Sequence, residues 1–150
     1  MKHFFWLLTL FLWSSLAFAQ HAAYDSAFAR QLGADDYGMK QYRLVLLKTG
    51  PFVPPRQSLK DSLFRGHMEN INRLAKAGKL IVAGPMQKND RSYRGLFIID
   101  SKTEEEAKEM LRADPAIAAG VFDYELFGWY GSAALGTYLE NHERISKIKP

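Results

Sequence analysis

The sequence predicts a small α+β domain in which two helices cover one face of a four-stranded antiparallel sheet. Three observations carry that reading. Four short runs are rich in branched and aromatic residues, two stretches between them carry helical periodicity, and the chain of 150 residues has room for one ordinary core.

The first run, Tyr42 to Lys48, is closed by Thr49-Gly50-Pro51, and the loop Phe52 to Ser58 is stiffened by Pro54 and Pro55. From Leu59 to Ala77 the apolar residues recur at helical spacing, with Leu63, His67, Ile71 and Leu74 on one stripe and Gly78 as the stop. Lys79 to Ala83 and Tyr93 to Ile99 are the second and third strands, joined by a polar loop. Thr103 and Glu106 have capping-box spacing, so a second helix opens there. Ala107, Met110 and Leu111 form its apolar face, and Pro115 ends it near Asp114. Asp123 to Tyr130 is the fourth strand. The order β-α-β-β-α-β is the split βαβ, or ferredoxin-like, arrangement.

Alternation within the strands adds a second expectation. Leu44 and Leu46 oppose Val45 and Leu47, Leu80 and Val82 oppose Ile81 and Ala83, and Phe97 and Ile99 oppose Leu96 and Ile98. A half-solvated sheet alternates apolar with polar; this one is apolar on both faces, with helices for only one. A second copy packed sheet to sheet is the economical cover, and a C-terminal segment folded back is its competitor.

Four regions are expected. Residues 1–19 have a basic start at Lys2, an apolar run from Phe4 and a small-x-small site at Ala17-Phe18-Ala19, the three parts of a secretory signal cut before Gln20. That run falls short of the roughly 20 apolar residues of a comfortable membrane span, so the expected product is periplasmic or secreted, with no membrane contact after cleavage. Residues 20–41 are a lead-in with a short helix near Asp25 to Leu32 ended by Gly33, 42–130 are the α+β domain, and 131–150 are a C-terminal extension with a short helix through Leu139, His142, Ile145 and Ile148.

Composition narrows the function classes. With 47% hydrophobic and 24% charged residues the chain is globular in type. The absence of cysteine removes disulfides, thiol nucleophiles and thiolate metal sites. The net charge of +4 is spread among interspersed acids, so nucleic acid has no basic stripe to bind. His21, His67 and His142 have no ligand spacing, and no nucleotide, phosphate or nucleophile-elbow motif occurs. No metal or cofactor is expected.

Two polar residues stand out because each sits on an inward stripe. His67 lies among Leu63, Phe64, Ile71 and Leu74, and Asp114 follows Ala107, Met110 and Leu111. Each has a plain alternative, a hydrogen-bonded core histidine and a turn aspartate before proline. Together over one sheet face they would form a carboxylate–imidazole pair suited to general base work near neutral pH. Arg91 and Arg94 could hold an anionic substrate group, or be a solvated hairpin end. Tyr42 and Trp129 are strand aromatics, core or interface first and pocket wall second.

His67, Leu74-Ala75, Gly78-Lys79-Leu80, Ala83-Gly84-Pro85, Arg94-Gly95, Asp114-Pro115, Gly120-Val121 and Trp129 occur in this order and spacing. The set resembles the YCII-related (YciI-like) family. The resemblance implies a ferredoxin-like domain that dimerises through its sheets as a dimeric α+β barrel, with a His–Asp site falling on His67 and Asp114. It also implies small-molecule chemistry of lyase, isomerase or dehalogenase type. The family's known enzymatic example removes chloride from a chlorinated, hydroxylated aromatic ring. The leader and the two extensions depart from the family pattern. A homodimer with a pocket for a small cyclic or aromatic molecule is therefore expected, with a non-catalytic ligand binder or an envelope partner protein as the other readings.

Overall fold

The computed structural model describes residues 23–148. The expected leader, 1–19, lies outside the described residues, as does the start of the lead-in.

The lead-in helix α1 (Ser26–Leu32) forms because Asp25 caps it, its Oδ1 accepting from Ala27 N and Phe28 N, and Gly33 ends it at φ +70°. The sheet follows as β1 (Met39–Thr49), β2 (Leu80–Pro85), β3 (Tyr93–Ile99) and β4 (Phe122–Ser132). Its spatial order is β2-β3-β1-β4 and every pairing is antiparallel. The long helix α2 (Gln57–Lys76) joins β1 to β2, and α3 (Glu104–Arg112) with the single turn α4 (Pro115–Ala118) joins β3 to β4. A 3-10 helix (Ala133–Tyr138) and α5 (Leu139–Ile145) end the chain. The ferredoxin-like α+β fold is as the strand and helix pattern predicts, with β1 and β4 longer than expected at both ends.

The core lies between sheet and helices. Val45, Leu47, Phe97, Ile99 and Leu80 pack on Leu74, Ala107 and Leu111. Burying side chains of this size stabilises by about 1.5–3 kcal/mol each. At α3, Thr103 Oγ1 accepts from Glu106 N at 3.1 Å, as the capping spacing predicts. Glu106 Oε2 accepts from Lys102 N, one residue earlier than a reciprocal box requires, and its other oxygen meets Lys79 Nζ at 2.8 Å. This ties α3 to the start of β2.

The opposite face carries Leu44 beside Ile98 and Phe127, and Leu46 beside Leu96. These are partly buried, and Phe127 is 46% exposed. The C-terminal segment covers only one end of that face. Tyr42 is 1% exposed there, its hydroxyl donating to Ser132 O at 2.9 Å. The segment then runs to β2, where Tyr138 Oη donates to Ile81 O at 2.5 Å. The expected helix through Leu139, His142, Ile145 and Ile148 is shorter, ending at Ile145, and differently turned. Ile145 and Ile148 are exposed, and Leu139 and Ser146, both half-buried, face inward.

Among the described residues no helix is long and apolar enough to cross a membrane.

Candidate active site

Two local features bring Asp114 to α2. Helix α3 ends near Asp114, as expected, but Asp114 is not on the inward stripe of that helix. It stands two residues beyond that helix and caps α4, with Oδ1 accepting from Ala116 N at 2.9 Å and Ile117 N at 3.3 Å. Pro115 occupies the first position of α4, where a missing N–H costs nothing. The turn then lies against Gly66, where a Cβ would stand 2.7 Å from Pro115 Cγ. Only glycine allows that approach. Gly66→Ala is therefore expected to destabilise the domain by about 1–3 kcal/mol through overpacking and to shift the His67 ring resonances. An unchanged melting temperature and unchanged resonances would show that Pro115 yields without moving Asp114.

The pair forms with His67 Nδ1 at 2.7 Å from Asp114 Oδ2. Asp114 is 0% exposed and His67 8%. A carboxylate that is ionised only accepts, so the neutral imidazole that suits this contact has its proton on Nδ1 and its lone pair on Nε2. Asn70, one turn along α2, braces the same oxygen with Nδ2 at 3.5 Å and is itself held by Arg73 Nη2 at 2.6 Å. Three phenylalanines box the imidazole. Phe97 stacks at 6.0 Å, Phe122 lies at 5.1 Å and Phe64 meets it edge-on at 6.5 Å.

His67 lines a cavity of about 870 Å³ between α2 and the helix-side face of β2 and β3. That volume suits a small organic ligand. With Nδ1 committed to Asp114, Nε2 is the nitrogen left for the cavity. The walls are mainly apolar, from Leu47, Ile71, Phe97 and their neighbours, and the C-terminal segment closes one side with Tyr138, Leu139 and His142. Burial raises the Tyr138 phenol above its ordinary value, so this hydroxyl stays a donor to Ile81 O and pins the segment.

The other candidate substrate contacts divide. Arg94 lines the cavity. Arg91 does not; it is exposed in the β2–β3 hairpin, where Asn89 organises the turn by accepting from Arg91 N and Tyr93 N. Tyr42 and Trp129 pair on the opposite face, 5.7 Å between ring centroids, and stay clear of the cavity. The reason is strand parity, since Tyr42 shares a side with Leu44 and Leu46, and the cavity lies on the side of Leu47. Asn70, Phe122 and Tyr138 belong to the site although the sequence reading passed over them. Of these, Asn70 had a signal, three residues from His67 on the same stripe. Among the described residues no three His, Cys, Asp or Glu side chains are grouped to hold a metal ion.

No curated protein sequence matches the chain. Among solved structures, one similar chain is 5-chloro-2-hydroxyhydroquinone dehydrochlorinase from Burkholderia phenoliruptrix in complex with 2,5-dihydroxybenzoquinone. It shares 20% identity over 58% of this chain and 92% of that one, with a TM-score of 0.42. The family model of the YCII-related domain matches residues 45–130, more than half of the sequence and nearly all of the β1-to-β4 unit that holds His67 and Asp114; the chain belongs to the YCII-related family.

Proposed function

We propose that the chain is an acid–base enzyme acting on a small cyclic or aromatic compound, with a proton transfer that His67 carries without help from a metal. The observation behind this reading is the 2.7 Å contact between a fully buried carboxylate and Nδ1 of a histidine that lines a ligand-sized cavity. His67 Nε2 takes a proton from a C–H or O–H of the ligand. Asp114 holds the tautomer and stabilises the imidazolium. The imidazolium then returns the proton to another atom in an isomerisation, or releases it after a leaving group departs with the bonding electrons.

The test is a screen of phenols, hydroxyquinols, aromatic acids and lactones by thermal shift and turnover, repeated with His67→Ala. The reading expects at least one compound to be turned over, and the variant to lose about 10²–10⁴-fold in rate. A compound that binds and is never converted would make the chain a ligand-binding module, a reading that the largely apolar cavity wall also favours.

We further propose export and dimerisation. Met1 to Ala19 has the three-part pattern of a cleaved signal, so protein recovered from the cell envelope or medium should begin at Gln20 by intact mass. A mass that keeps the leader would favour an anchor. The apolar face of Leu44, Leu46 and Ile98 is left to a second copy because the C-terminal segment covers only its Tyr42 end.

A further inference from the structure

We propose that the ligand carries an anionic arm, held beside the His67 cavity by Lys60 and Arg94. The inference rests on the cavity being a small-molecule site, but not on turnover. A smaller recess of about 170 Å³ lies against the main cavity and shares Phe64, Phe122 and Arg94 with it. Its remaining wall is the loop 49–54, Val121, and Lys60 on the first turn of α2. The recess is lined by two cations and no acid.

Neither cation is spoken for. Among the described residues neither the Lys60 ammonium nor the Arg94 guanidinium makes a hydrogen bond or an ion pair, whereas neighbouring charges are matched. Lys48 sits between Asp123 and Glu125, and Asp61 accepts from Gln57. Lys60 Nζ stands 6.0 Å from the centroid of the Phe64 ring, the same ring that walls the cavity beside His67. Two like charges on one apolar recess repel each other and gain when an anion comes between them. A carboxylate or phenolate there would be gripped by charge-assisted bonds, with the planar Arg94 fork able to take two oxygens. Its ring would then extend past Phe64 and Phe122 toward His67. The recess thus fixes which end of the ligand meets the base.

The test compares two acids, benzoate and 3-phenylpropanoate, with their uncharged amides, which match them in shape. Titrations on the full mature chain are followed by calorimetry and ligand-observed NMR. The acids should bind about tenfold or more tighter than the amides, and added salt should weaken only the acids. Lys60→Gln and Arg94→Gln should each cost the acids about tenfold and leave the amides unchanged. Equal binding of acid and amide, an equal loss of both in the variants, or no saturable acid binding at millimolar concentration would each overturn the subsite. The outcome separates from that of the proposed reaction. Acids that bind through Lys60 and Arg94 without conversion leave the subsite standing and remove the enzyme. Turnover of uncharged compounds, indifferent to both substitutions, does the reverse.

Discussion

Asp114→Asn is expected to leave the domain folded and lower turnover by about 10²–10⁴-fold, while Asp114→Ala should destabilise it by about 3 kcal/mol as well. The two replacements separate the two jobs of one carboxylate. Its Oδ1 caps α4 and its Oδ2 accepts from His67 Nδ1. Asparagine can still cap with its carbonyl oxygen, but then presents an NH2 group to a nitrogen that carries a proton. Two donors cannot pair, so the imidazole moves its proton to Nε2 and loses its basic lone pair on the cavity side. Alanine removes the cap, worth about 1 kcal/mol, and strands a buried Nδ1–H, worth about 1–3 kcal/mol more. Melting temperature and turnover should be read on both variants and on His67→Ala/Asp114→Asn. The double variant should turn over no more slowly than His67→Ala alone, because a base and its orienter act as a unit. An asparagine variant with undiminished turnover would reduce Asp114 to a helix cap and remove the main support for His67 as the base.

The fold was legible because its signals are local. Each strand is a short apolar run between breakers, Gly78 takes the left-handed φ of +66° that a helix end requires, and the Thr103 cap starts α3 where its spacing predicts. The pairing of His67 with Asp114 was legible for a partly different reason from the one the stripe suggested. Helical periodicity continued through Asp114, but the proline after it starts a new turn, and capping turns the carboxylate toward α2. What the sequence could not show is which apolar face the helices take. Both faces alternate alike, so Tyr42 and Trp129 could be assigned to the pocket or to the far side, and packing put them on the far side. Contacts distant in sequence were beyond reach for the same reason. The Tyr138 hydroxyl meets Ile81, and Lys60 and Arg94 share one recess, because the sheet and α2 bring them together.

That far face supports the second large expectation. Leu44 stands at its centre, flanked across the strands by Ile98 and Phe127. If a second copy covers the face, each sheet packs on its mate at about 10 Å, and the interface should bury at least about 1,000 Å². Leu44→Arg would then bury two guanidinium groups, one from each copy, in the interface and away from water. Without a partner to accept their bonds, the cost is several kcal/mol, and weakening of the dimer by about hundredfold or more follows. The monomer itself should survive, because Leu44 is outside the core formed by Val45, Leu47 and the helices. Light scattering at micromolar concentration should show wild type at twice the monomer mass and Leu44→Arg at the monomer mass, with matching circular dichroism. The melting temperature should rise with concentration for wild type and stay flat for the variant, since association stabilises by mass action. A wild type that scatters as a monomer at every concentration, with a flat melting temperature, would sink the sheet-to-sheet assembly and leave the Leu44 face to a partner of another kind.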